Sequence, residues 1–364
     1  MNKRVIDTLS SDLLAARDHF ARVSAALEGD RLLGPKLAIV NPPLWEIGHV
    51  GWFQEHWCLR YEEGKALRPS ILANADALYN SSTVPHDTRW HLPLPSLAST
   101  LVYLGNVLEK TLERLAREPD NERLRYFVQL ATLHEDMHAE ALHYTHQTLG
   151  YPQPEFEFGA RTGSNSGPGP DLEFAGGPFR LGAERGEERF IFDNEKWAHE
   201  VELGPFAIAA KPVSNAQYLR YVETGGKAPR YWRQAHGEWQ ERRFDRWQAL
   251  APGEPVRHVS WDEAQGYCRF ARRRLPSEAE WTHAASALGW GEVWEWTAST
   301  FAPFPGFSAD PYADYSQPWF HTHKVLKGAS FATPRRVAAA SFRNFYMPDR
   351  GDVFAGFRTC RMDP

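Results

Sequence analysis

The chain has 364 residues, a formal net charge of −5 and three cysteines, which leaves room for two domains with real cores. The mild negative charge carries no basic stripe, so nucleic acid is a poor partner. No apolar run approaches the ~18 residues of a membrane span. Cys58, Cys268 and Cys360 form neither a CxxC pair nor an even framework, which fits a reduced, cytoplasmic setting.

From the N terminus, Ile6, Leu9, Leu13, Leu14, Phe20, Val23 and Leu27 repeat near 3.6 and predict a helix over 6–27. After a break at Gly29–Pro35 a second helix is expected from Leu44 to about Tyr61, with Asn41 as N-cap and Pro42 in the first helical position. Trp45, His49, Trp52 and His56 share one face of it. Gly48 and Gly51 flank His49 and leave room for a close neighbour. Residues 63–95 read as mostly loop, and a leucine stripe from Leu97 to Leu115 predicts a third helix over 96–116. The fourth, from Arg123 to Leu149, carries Leu133-His134-Glu135-Asp136-Met137-His138-Ala139-Glu140. Four amphipathic helices in the first 150 residues predict a helix bundle.

Gly and Pro crowd residues 151–171, which read as a linker. From 172 to 364 the runs are short, most of the 14 tryptophans appear, and two helices stand out. One spans Asn215 to Glu223. The other spans Ser260 to Arg272 and opens with a capping-box spacing from Ser260 to Glu263. The expectation is a compact α+β domain with long irregular loops.

The chemistry centres on histidine. His134 and His138, four apart, stand one turn above each other on a helix, on the same stripe as Leu124, Phe127, Val128, Ala131 and Leu142. Two hydrogen-bonded core histidines would explain that pair on its own. His49, on the inward face of another helix, makes a third, and bundle metal sites are built from such facing side chains. Three neutral imidazoles suit Zn²⁺ with one water, or Fe²⁺ with three open positions, and spacing does not choose. His56 reads as a surface-edge residue. Asp136 and Glu140 read first as a solvated helix face, with orienting partners of the imidazoles as the alternative. No GxSxG, P-loop or GxGxxG accompanies the histidines. In the second domain a loop tyrosine can donate a proton, whereas Trp294 and Trp296 read as core.

Taken together, WxxxHxGxxxE at Trp45–Glu55, HExxHxE at His134–Glu140, and the series VWEWT, PFPGF, YxxY, SFRNF and FAGFR after Val293 resemble the ergothioneine-type sulfoxide synthases. The resemblance implies a DinB-like four-helix bundle (1–150) followed by a C-type-lectin-like, formylglycine-generating-enzyme-like domain (172–364). It implies a non-haem Fe(II) site at His49, His134 and His138, with O2 as co-substrate. It also implies carbon–sulfur or carbon–selenium bond formation at imidazole C2 of hercynine, the trimethylated betaine of histidine. It places Tyr312 as the proton donor, Tyr315 and Phe345 against the trimethylammonium, Asn344 beside them, and Arg89 in the donor loop.

Two positions depart from the pattern. Met137 stands where a glutamine that touches hercynine precedes the last iron-binding histidine, and Tyr346 stands where an aspartate that helps hold a γ-glutamylcysteine donor follows the Asn-aromatic pair. Hercynine is therefore the better-matched substrate, and the altered donor pocket resembles the selenoneine synthase branch, which uses a selenosugar. Cysteine and γ-glutamylcysteine are the thiol alternatives. Formylglycine generation needs a thiol pair, and only Cys360 lies late in the chain. A non-catalytic lectin-like module leaves the histidines unexplained, and a Zn-dependent thiol transferase leaves the tyrosines unexplained.

Overall fold

In the first unit, Met1–Phe156, the helices are α1 (Asn2–Ser24), α2 (Pro43–Glu55), α3 (Ala75–Tyr79), α4 (Leu97–Arg117) and α5 (Glu122–Leu149). The computed structural model describes residues 2–155 and 169–362. The expected linker therefore falls largely on 156–168, outside the described residues.

Every residue of α2 is buried, as expected of a helix that is apolar nearly all round. Phe20, Val23 and Leu27 from the first segment, Ile47 and Val50 from α2, Tyr103, Leu104 and Val107 from α4, and Ala139 and Leu142 from α5 form one core. A single arginine crosses it. Arg17 donates to Glu135 (2.5 Å), to the Leu104 carbonyl (2.9 Å) and to Gln54 (2.8 Å), and so ties α1 to the other three long helices.

Helix ends follow their sequence signals. Ser96 caps α4 by accepting from the Ser99 amide, Asn121 caps α5 through the Leu124 amide, and Gly150 (φ 68°) ends α5.

Two expectations are corrected in this unit. Helix α2 starts at Pro43, and Asn41 turns its amide inward instead of capping it. Past Glu55 the helix widens into a π-turn over His56–Arg60, where Arg60 forks onto Asp76 (2.7 and 2.8 Å). Residues 63–95 are mostly loop, as expected, and hold the short α3 and a 3₁₀ segment, His86–His91. The buried Glu55 gathers that stretch by accepting from the Ser70 hydroxyl (2.6 Å), the Ile71 amide (2.5 Å) and Tyr103 (2.5 Å).

The second unit, Glu157–Pro364, is rich in short strands: β1 (Asp171–Phe174), β2 (Gly177–Leu181), β3 (His199–Leu203) and β4 (Phe206–Ala209), then helix α6 (Asn215–Glu223). Strands β5 (Trp232–Ala235), β6 (Glu238–Arg243) and β7 (Arg246–Ala249) lead to α7 (Trp261–Ala271), β8 (Arg273–Arg274) and α8 (Glu278–Ala284). The chain closes with β9 (Trp294–Thr300), β10 (Lys324–Gly328), β11 (Asn344–Tyr346), β12 (Ala355–Gly356) and β13 (Cys360–Arg361). The strand orders are β1-β4-β13-β8, β11-β10-β9-β12, β2-β3 and β5-β6-β7. In the second of these sheets Val325 pairs with Phe345 and Leu326 with Asn344.

Helix α6 and the capping box of α7 stand where expected. Helix α8 is an addition, opened by a capping box of its own, Ser277 with Glu280. Trp294 and Trp296 are core, and Trp296 donates to the Val259 carbonyl (2.8 Å). Three buried cations brace this unit. Arg358 pairs with Glu295 (2.7 Å), Arg343 forks onto Glu278 (2.8 and 3.1 Å), and Lys327 donates to the Phe342 carbonyl (2.8 Å).

Candidate metal centre

His49 enters the site from α2, and His134 and His138 from successive turns of α5. One ring nitrogen from each lies within 4.8 Å of the others, the only such cluster of three among the described residues. The ring centroids stand 4.4–5.1 Å apart. Aromatic walls hold them. Trp45 stacks on His49 at 4.7 Å, and Phe53 stacks on His134 at 3.6 Å with the planes 5° apart.

The outer nitrogens fix two tautomers. His49 Nδ1 lies 2.8 Å from the Tyr79 carbonyl oxygen, which can only accept, so Nδ1 carries the proton. His138 Nδ1 donates to the Glu46 carboxylate. Both Nε2 lone pairs therefore face inward. His134 Nε2 sits 3.2 Å from His138 Nε2, so without a cation one proton must lie between them. A cation that replaces this proton meets lone pairs from all three rings.

Burial drags His49 down to about 3, with the charge on His138 adding to the effect, and it holds His134 well below the usual imidazole range. Burial alone would raise Glu46. The neighbouring His138 outweighs it and, with His49 and Asn41, holds that carboxyl at about 2. The centre thus offers two imidazoles held neutral, His49 and His134, beside an ionised carboxylate at neutral pH. That donor set fits a divalent first-row metal.

Glu46 was not singled out from the sequence, although its i, i+3 spacing to His49 puts both on one face. Asp136 and Glu140 are corrected: both are buried, not solvated, because α5 packs against α1 as well as α2 and so buries more than one stripe. His56 is half-buried beside Trp52 (5.2 Å) and Trp57 (4.8 Å), outside the histidine cluster. Met137 is half-buried on α5. Arg89 is buried with its guanidinium 3.9 Å over the Trp45 ring.

In the second unit, Tyr315 stacks on Phe192 (4.4 Å) and meets Phe345 edge-on at 5.9 Å, while Phe345 stacks on Phe301 (4.1 Å). Tyr312 lies 6.2 Å from Tyr315. Tyr312, Tyr315 and Phe345 therefore form one aromatic group, each partly open to solvent. Asn344 accepts from the Phe345 amide (2.9 Å), and the Arg350 guanidinium covers Tyr346 at 5.1 Å. Burial, with Glu195 and Asp193 nearby, pushes the Tyr315 phenol well above its usual range.

Comparison with known proteins gives a family match and full-length relatives. Residues 171–290 and 288–362 match the sulfatase-modifying factor enzyme 1-like domain. The hercynine oxygenase of Mycolicibacterium thermoresistibile is 31% identical, aligned over 88% of this chain and 87% of its own. That of Mycolicibacterium smegmatis is 29% identical over 97% and 98%. That of Mycobacterium tuberculosis is 30% identical over 88% and 91%.

Proposed function

The chain belongs to the hercynine oxygenase family, and on that premise we propose that it joins selenium or sulfur to imidazole C2 of hercynine in an Fe(II)- and O2-dependent reaction, with a selenosugar as the preferred donor. The observation that carries this reading is the convergence of His49, His134 and His138, two of them with their lone pairs aimed inward.

His49, His134 and His138 hold the iron, which when bound activates O2. Tyr315 and Phe345 receive the trimethylammonium, a cation that gains ~2 kcal/mol or more against desolvated aromatic faces. Asn344 supplies polar contact. Tyr312 delivers a proton from its hydroxyl, since a phenol with an ordinary pKa of ~10 is protonated at neutral pH. We read the helical unit as DinB-like, the second as C-type-lectin-like, and the setting as cytoplasmic.

The donor preference rests on Tyr346. A phenol does not replace the carboxylate that would grip an amino-acid donor. A second reading, ergothioneine-type synthesis from cysteine or γ-glutamylcysteine, is favoured by Arg89 in the donor loop, because a guanidinium fork suits a carboxylate.

The test is anaerobic Fe(II) loading followed by hercynine, O2 and each donor in turn, with products read by mass. A C2-selenated betaine from the selenosugar is expected. If γ-glutamylcysteine proves clearly the best donor, the selenosugar preference falls. If no donor couples to hercynine, the family reaction itself does not hold for this chain.

A further inference from the structure

Behind His138 runs a chain of hydrogen bonds whose direction is forced at both ends. The guanidinium of Arg89 has only donors, and the ionised Glu46 carboxylate only acceptors. Arg89 Nη1 donates to Asn41 Oδ1 (2.7 Å), Asn41 Nδ2 donates to Glu46 Oε1 (2.5 Å), and His138 Nδ1 donates to Glu46 Oε2. The asparagine amide can satisfy both neighbours in one orientation only. Arg89 is itself anchored, by the Trp45 ring at 3.9 Å and by the carbonyls of Val84 (3.1 Å) and Ser81 (3.3 Å). Glu46 is 4% exposed, so water does not compete for its oxygens.

We propose that Arg89, Asn41 and Glu46 form a positioning relay. The relay holds His138 with Nδ1 protonated, strengthens its Nε2 as a metal donor, and ties that ligand to the loop around 81–89. The inference rests on the metal reading above. A carboxylate behind a metal-binding imidazole orients the ring and raises its basicity, and loss of such a partner costs ~10–100-fold in metal affinity or activity. His49 has a neutral carbonyl in the same position, so of these two ligands only His138 has a carboxylate behind it. The relay also gives Arg89 a task that needs no substrate.

The competing account is structural. Glu46 stands in the first turn of α2, where an acidic residue stabilises a helix whatever it touches. The two accounts differ in a measurement free of turnover: Co(II) titration of the full chain under anaerobic conditions, followed by visible absorption, with unfolding of the metal-free protein measured in parallel.

Glu46→Gln keeps the shape and removes the charge. It is expected to weaken Co(II) binding ~10–100-fold and to move the ligand-field bands, with metal-free stability changed far less. Asn41→Leu and Arg89→Ala leave the carboxylate in place and are expected to weaken Co(II) binding several-fold in the absence of any donor. They keep the test open if Glu46→Gln does not fold. An Arg89 that only contacts the donor would leave metal affinity unmoved. Unchanged Co(II) affinity and bands in Glu46→Gln, or in Asn41→Leu and Arg89→Ala together, overturn the relay. A wild-type chain that takes up no Co(II) overturns the metal reading and the relay with it.

Discussion

Single imidazoles set how this protein responds to acid. Burial holds His49, His143 and His258 near 3 and His134 well below its ordinary value. Unfolding returns each to ~6.5. Between those limits the unfolded chain binds more protons than the folded one, so stability is full above ~6.5 and falls as the pH drops below it. Each such histidine contributes up to ~1.4 kcal/mol per pH unit. Glu46 acts later. Its folded value of about 2 lies below the ~4.3 of an unfolded glutamate, so its stabilisation is present above ~4.3 and is lost only as the pH falls through 2. The interval from pH 7 to 5 therefore isolates the histidines. Urea unfolding of the metal-free chain should show a midpoint that drops steadily from pH 7 to pH 5. A flat midpoint over that interval would mean that these imidazoles are not held neutral.

Among the elements, α2 decides the geometry of the centre, because its small residues let neighbours approach. A Cβ on Gly48 would stand 2.2 Å from the Tyr79 ring, and the carbonyl of that tyrosine takes the His49 proton. Alanine gains ~1 kcal/mol over glycine in a helix interior, but overpacking a buried ring costs ~1–3 kcal/mol. Tyr79 is fully buried, so the second effect should win. Gly48→Ala is expected to lower the melting temperature and weaken metal uptake together. Gly105→Ala, on the exposed side of α4 where nothing lies within 4 Å of the added Cβ, should raise the melting temperature slightly. Equal shifts for both variants would show that packing against Tyr79 does not set the order of this helix. The same helix shows what could be read ahead of the fold. A period of 3.6 exposes His49, Gly48 and the His134–His138 pair, because the apolar stripe is a local signal. The bonds from Glu46 to His138 and from Arg89 to Asn41 gave none, since those partners lie 92 and 48 residues apart in the chain. Asp136 and Glu140 misled because a 28-residue helix packed on two sides has no free polar face. Helix α8, with seven residues, is too short for its period to show.

For the whole molecule, the groups that could do chemistry divide along the chain, with the imidazoles before residue 139 and the open aromatic group after residue 311. The family model matches the second part, and the hercynine oxygenases align with both. If the second unit were only scaffold, its tyrosine hydroxyls would be dispensable. The loop that carries them is held too carefully for a surface turn. The Ser316 hydroxyl donates to Asp193 (2.5 Å) and accepts from Asn194 (3.1 Å), Phe192 stacks on Tyr315, and the Asn194 carbonyl takes an N–H of the buried Arg343 (2.8 Å). This bracket fixes the backbone directly after Tyr315 and leaves Tyr312 at the open end. Tyr312→Phe keeps the ring, its neighbours and the bracket, and removes one hydroxyl. Iron content and the binding of hercynine and donor should then match the wild type. Coupling should fall ~10²-fold or more, the usual worth of a positioned general acid, and the remaining turnover should shift toward simple oxidation of the donor. Iron assay, binding isotherms and product masses on the same preparation separate these outcomes. Unchanged rate and product in Tyr312→Phe would place the proton donor elsewhere, and Tyr315, whose phenol burial keeps protonated, would be the next hydroxyl to remove.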